Sequence, residues 1–335
     1  MRKISRADFL ALGGWSLAGI FICPLTSLTK YQHMKDRKDF DVVIIGGSYA
    51  GLSAAMTLGR SLRHVLVIDN GKPCNRYAPE AHNFVTHDGE APASIALQAK
   101  KQVLRYSSVR FFEGTAVTAQ KVKEGFEIGL ASGETFGATQ VILATGIRDI
   151  FPALDGFTEC WGKTIIHCPY CHGYEFKDET TTIMANGDQA FHLSRLVNNL
   201  TKRLTIITDG KATFNRLQKE KLDRNNVAVI EKPVKRIAHQ DGQLKAVVFQ
   251  DGSRKRCAAM YAALPFEQHS AIASSLGCEF SASGHIKTDI FQKTTVAGVF
   301  ACGDNCAMMR SVANAVASGN FAGAMANNEL SEEQF

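Results

Sequence analysis

Apolar residues fill every position of Val42-Val43-Ile44-Ile45 after Asp41, the pattern of a parallel strand buried on both faces rather than one with a wet side. The run enters Gly46-Gly47-Ser48-Tyr49-Ala50-Gly51 and then a helical stretch from Leu52 to Met56. A second apolar run, Val65-Leu66-Val67-Ile68, closes on Asp69. Thr180–Met184 and Leu204–Thr208 predict two more strands around a helix from Ala190 to Leu200, which is a second βαβ unit. Gly298–Asp304 ends as a strand ahead of a small-residue helix, Ser311–Gly319. Short runs in Glu113–Leu143, punctuated by Gly125, Gly129, Gly133 and Gly137, predict a small antiparallel excursion.

This order predicts an α/β protein of two Rossmann-like, three-layer domains, the second inserted in the first. The boundaries expected are 39–151 with 264–330 for the outer domain and 152–263 for the inserted one. The 335 residues, 45% apolar, with 28 glycines against 8 prolines, suffice for two cores and many tight turns.

The first turn has the chemistry of a dinucleotide site. Gly46 permits the turn, Gly51 lets helix and strand pack closely, and a pyrophosphate lies on the helix N-terminus, where free N–H groups favour anions. Ser48 stands where the second glycine of G-x-G-x-x-G is usual, a small residue in place of none. Asp69, about twenty residues on, is placed to accept from a ribose hydroxyl. The second turn, Ala185-Asn186-Gly187-Asp188-Gln189-Ala190, lacks its first glycine, and Asp209 after the following strand repels a 2′-phosphate and favours NADH over NADPH.

Cys168-Pro169-Tyr170-Cys171 comes about twenty residues after Ala144-Thr145-Gly146. Two sulfurs one turn apart serve a redox couple, half of a zinc site, or a structural pair. No second paired motif follows, and the remaining cysteines are scattered apart from Cys302 and Cys306, so no metal site is expected. The proline and the adjoining His172 favour redox chemistry, because an imidazolium stabilises the attacking thiolate. His172 is also the candidate proton shuttle, with His167 a weaker one; the alternative is an ordinary hydrogen-bonded histidine.

The net charge of +6 does not imply nucleic acid. Seven Lys/Arg against two Asp in residues 1–38 account for +5, and the rest of the chain carries +1. Arg2, Lys3 and Arg6 ahead of an uncharged stretch from Phe9 to Thr29 predict an export signal or membrane anchor over residues 1–38, and hence an envelope location. The alternative is a cytoplasmic protein starting at Met34.

With Gly303-Asp304 added, the chain resembles the low-molecular-weight thioredoxin reductases, the Gly-rich turn, Ala144-Thr145-Gly146, the cysteine pair and Gly303-Asp304 standing in that family's order. Cys168 to Glu175 resembles a branch near the gliotoxin-type dithiol oxidases. The resemblance implies FAD held by Gly46, Gly47, Ser48, Gly51, Asp69, Thr145, Gly146, Gly303, Asp304 and Ala313, with Asp304 on the flavin's sugar-alcohol chain. It implies that Cys171 faces the flavin, that Cys168 is the interchange thiol, and that His172 replaces an acidic proton-transfer residue. NAD(P)H is the implied second cofactor, with a thioredoxin-like protein or a small-molecule dithiol or disulfide as partner and a homodimer as assembly. Two alternatives follow: a dithiol oxidase passing electrons to oxygen or another acceptor, and a non-catalytic flavin-binding redox sensor.

Overall fold

A computed structural model describes residues 40–335; the N-terminal segment read as a signal or anchor, with Met34, lies outside the described residues. The first sheet is built on β1 (Phe40–Ile45), β2 (Val65–Asp69), β3 (Val109–Glu113), β4 (Ala116–Val122), β5 (Gly125–Leu130) and β6 (Thr135–Leu143). Its order is β3-β2-β1-β6-β5-β4, and the late strand Val299–Ala301 adds to β6. β6 serves three partners because it is long. Its first half pairs antiparallel with β5, and its second half lies parallel to β1 and to Val299–Ala301.

Both faces of β1 are dry, as its unbroken apolar run requires. Val42 and Ile44 pack on α1 (Tyr49–Arg60), which contributes Leu52, Ala54 and Leu58, while Val43 and Ile45 pack on the opposite side against Ile128 and Ile272. Burying each Leu or Ile of this layer is worth about 1.5–3 kcal/mol. The antiparallel excursion is present as β4, β5 and β6, but its glycines divide into two kinds. Gly125 (φ +104°) and Gly133 (φ +94°) shape turns, whereas Gly129 and Gly137 sit inside β5 and β6. A side chain at Gly129 would collide with the Thr118 hydroxyl of the neighbouring strand, so that glycine reflects packing and not a turn.

The inserted segment carries β7 (Ile165–Ile166), the short helix α2 (Pro169–His172), β8 (Thr181–Met184), α3 (Gly187–Val197), β9 (Leu204–Ile207), β10 (Ala228–Ile230) and β11 (Ala259–Ala262). These strands form a parallel sheet in the order β10-β9-β8-β11-β7. A three-stranded antiparallel meander, Val234–Gln240, Gln243–Phe249 and Arg254–Arg256, interrupts it between β10 and β11. The protein is thus an α/β fold of two Rossmann-like domains, each with an antiparallel excursion. The chain crosses between them twice, and the crossings pair with each other, Ile147–Asp149 against Phe266–Gln268.

α3 starts three residues before the expected Ala190 because Asn186 caps it, its side chain accepting from the Gly187 N–H at 2.8 Å. The last helix, α4 (Val312–Gln334), runs well past Gly319. Ser311 caps it by accepting from the Asn314 N–H at 3.1 Å. Its small residues exist for a crossing: a Cβ on Gly319 would overlap the Ala50 carbonyl oxygen, and one on Gly323 would come within 2.7 Å of the Ala54 oxygen. Among the described residues no helix is long and apolar enough to cross a membrane.

Candidate functional site

The C-terminal ends of β1, β2 and β6 open onto a cleft of about 460 Å³, within the range of small-molecule sites. Gly46, Ser48, Asp69, Thr145, Gly146, Cys171, His172, Gly303 and Asp304 all line it. Gly47 and Gly51 instead build its wall. The Gly47 N–H donates to Asp69 Oδ1 at 2.9 Å, and a Cβ on Gly51 would overlap the Gly46 carbonyl oxygen. Ala313 is exposed to solvent, and Val312 and Ala315 beside it line the cleft, since one step along a helix turns a side chain by about 100°.

The two nucleotide turns differ in what their helices leave free. At α1 the N-cap Ser48 makes no side-chain cap and no acidic residue occupies the first turn, so the helix's leading N–H groups remain open to an anion. At α3 the Asn186 Oδ1 accepts from Gly187 N–H, Thr213 N–H at 2.9 Å and the Thr213 hydroxyl at 3.2 Å, while its amide donates to the Lys211 carbonyl at 2.9 Å. Asp188 adds a carboxylate to that first turn. Asp209, expected to repel a 2′-phosphate, has a left-handed backbone (φ +49°) and accepts from the Val234 N–H at 2.6 Å.

The flavin motifs are tied together through Asn305, whose amide donates to the Leu143 carbonyl at 2.8 Å and to the Thr145 hydroxyl at 3.2 Å. Gly303 (φ +81°) turns the chain there, and its N–H donates to Ser318 Oγ at 3.0 Å. Asp304 is pushed up to about 6 by burial, against the pull of Arg310, whose Nε lies 3.9 Å away. Arg310 grips Asp149 with two hydrogen bonds of 2.8 and 3.0 Å and donates to Cys74 Sγ at 3.2 Å. Burial alone would depress the guanidinium, but Asp149, Cys74 and Asp304 together hold it charged. Arg310 Nε and His167 Nε2 are buried without hydrogen-bond partners, and both residues line the cleft. The open α1 terminus, Asp69, the Gly303 turn and these unpaired polar atoms fit a bound FAD.

Cys168 and Cys171 lie at the start of α2 and within it. Cys168 is its N-cap, accepting from the Cys171 N–H at 3.2 Å, and Cys171 Sγ lies 3.9 Å from the Arg310 carbonyl. Only Cys171 of the two lines the cleft. The hydrogen bond from the Cys171 thiol, helped by the N–H groups of Cys171 and Tyr170, pulls Cys168 down to about 7 against its burial. Donating that bond, together with burial, pushes Cys171 up. The first negative charge therefore sits on Cys168. Iodoacetamide should alkylate Cys168 before Cys171, with a rate that reaches half its plateau near pH 7 rather than near 9. Peptide mapping after a pH series measures it, and Cys171 reacting first would reverse the order.

His172 is depressed by burial, partly offset by Glu175, and stays neutral at physiological pH. His167 is pushed down to about 3 by burial and by Arg310, and stacks on Trp161 with ring centroids 6.1 Å apart. Arg310, Asp149, Cys74 and His82 were not legible as site residues. Only Arg310 carried a signal, as the lone charge between Asp304 and Glu329. Among the described residues no group of three or more His, Cys, Asp or Glu is placed to hold a metal.

Residues 40–319 match the family described as pyridine nucleotide-disulphide oxidoreductase. The protein named thioredoxin reductase tcpT from Claviceps purpurea is 34% identical, over 87% of this chain and 94% of its own. Thioredoxin reductase sirT from Leptosphaeria maculans is 30% identical, over 86% and 93%. The crystal structure of an oxidoreductase from Agrobacterium tumefaciens superposes with a TM-score of 0.82 at 35% identity, over 87% of this chain and 98% of that one.

Proposed function

The chain belongs to the pyridine nucleotide-disulphide oxidoreductases, a family that uses FAD and NADPH and acts on sulfur groups, and we propose that its electrons pass between FAD and a substrate dithiol or disulfide through Cys168 and Cys171. One observation carries this reading: Cys171 opens into the cleft formed by the flavin motifs, while its partner Cys168 does not. FAD, when bound, supplies a two-electron acceptor beside that sulfur. The chain's own groups do the rest. The α1 terminus holds the pyrophosphate and Asp69 and Asp304 take hydroxyls, while Cys168, the thiolate of the pair, exchanges with substrate and His172 moves the thiol proton. The partner is a thioredoxin-like protein or a small-molecule dithiol or disulfide, and the enzyme works as a homodimer.

A second reading, oxidation of a dithiol with oxygen or another acceptor, is favoured by the α3 turn. Asn186 already occupies the N–H group that a nicotinamide pyrophosphate needs, and Asp188 and Asp209 add negative charge where its phosphates would lie. Anaerobic stopped-flow reduction separates the readings. We expect dithiothreitol to bleach the flavin faster than either nicotinamide at matched concentration, with NADH ahead of NADPH. Fast bleaching by NADPH coupled to thioredoxin turnover would restore the reductase direction. A flavin bleached by neither would leave the non-catalytic sensor.

A further inference from the structure

The ring of His172 packs edge-on against a second imidazole, His82, with centroids 6.2 Å apart and planes at 90°. His82 belongs to the loop between β2 and β3, far from the cysteine pair in sequence, yet it lines the same cleft as Cys171 and His172. Three carboxylates surround it. Glu80 and Glu175 stand 3.5 and 3.6 Å from Nε2, and Asp88 stands 3.6 Å from Nδ1. The His82 side chain is 17% exposed, whereas those of Glu80 and Asp88 are 58% and 68% exposed.

The loop holds this arrangement in place. Ala81 N–H donates to the Glu90 carbonyl at 2.8 Å, Gly89 N–H donates back to the Ala81 carbonyl at 2.9 Å, and Asp88 Oδ1 accepts from Asn83 N–H at 2.7 Å. A line of titratable groups thus runs from the buried dithiol through two imidazoles to wet carboxylates. Separations of 3.5–3.6 Å put all three carboxylates within ion-pair reach of the His82 ring.

We propose that His82 is a positioning residue that relays the thiol proton between His172 and solvent, with Glu80, Asp88 and Glu175 orienting it. The inference rests on the dithiol reading above. When a thiol of the pair ionises, its S–H bond breaks and the electron pair stays on sulfur. His172 takes the proton on one ring nitrogen and releases one from the other, through water to His82 and on to the exposed carboxylates. No electron leaves the pair in this step, so no oxidant is needed.

The charged and titratable groups facing His172 are Glu175 on the turn after α2, His82 on its loop, His167 and the cysteines on its own segment, and Arg310 across the cleft. Burial depresses His172 most, Glu175 raises it and His82 lowers it. His82→Gln should therefore move the His172 midpoint up, and Glu175→Gln should move it down.

The test uses the FAD-loaded full chain. NMR follows the His172 imidazole through pH, and anaerobic stopped-flow follows flavin reduction by dithiothreitol. His82→Gln should slow reduction by about 10-fold, less than the roughly 100-fold of a direct acid/base. Its pH profile should shift upward, added imidazole should restore part of the rate, and Glu175→Gln should shift the profile the other way. A rate loss with unmoved midpoints and no imidazole rescue, or wild-type kinetics in both variants, overturns the relay. Should His82→Gln fail to fold, His82→Asn is carried through the same rate, pH-profile and imidazole-rescue measurements and decides. If dithiothreitol never reduces the wild-type flavin, or reduces Cys171→Ser equally fast, the dithiol reading fails instead.

Discussion

Cys168→Ser and Cys171→Ser should each lose at least ~1,000-fold in dithiol or disulfide turnover, because neither can form the internal disulfide and residues acting as a unit lose nearly everything singly. Their spectra should differ. In Cys168→Ser the strongest upward pressure on Cys171, the proton it donates to Cys168, is gone, along with the repulsion of a neighbouring thiolate. Cys171 then ionises more readily beside the oxidised flavin, and a long-wavelength charge-transfer band should appear. Burial and Asp304 still oppose that ionisation and Arg310 favours it, so the band should strengthen with rising pH. Cys171→Ser should show none, because the remaining sulfur lies outside the cleft lining. A band in Cys171→Ser but not in Cys168→Ser would invert the roles, and full turnover in either variant would remove the dithiol mechanism.

Gly46→Val should abolish flavin retention. Gly46 has φ +107°, a conformation L side chains rarely adopt, and any Cβ there would overlap the Ala144 carbonyl oxygen on the adjoining strand. The turn has no room to relax, because Gly46 N–H donates to the Ile68 carbonyl and Ala144 N–H to the Ile45 carbonyl, both at 2.8 Å. Backbone strain of about 1–3 kcal/mol adds to the steric overlap, and together they displace the open N–H groups of α1. Flavin absorbance per folded chain after gel filtration measures the effect. Recovery of a folded, fully yellow Gly46→Val protein would defeat this placement of the pyrophosphate.

Much of the architecture was legible because it is encoded locally. The apolar runs of β1 and β2 and the threonine-bearing, β-branched runs of β8 and β9 mark strands buried on both faces, and the glycines of the first turn mark close approach of backbone to backbone. Local reading failed where a glycine or a helix end answers to a neighbour. Gly129 yields to Thr118 across a strand pair, and α4 runs past Gly319 because Gly319 and Gly323 let it cross α1 closely. Both are contacts between residues distant in the chain.

The candidate site divides the same way. Order and spacing marked the Gly-rich turn, Asp69 and the cysteine pair with His172, since each is a short motif whose chemistry depends on neighbours in sequence, whereas Gly303-Asp304 was marked by the family resemblance. Folding alone decides which sulfur opens into the cleft. It also joins Arg310 to Asp149 and Cys74 and sets His82 against His172. Those pairings cross up to 236 residues, as between Cys74 and Arg310. Burial and charge at such points depend on everything packed around them, so no window of sequence contains them.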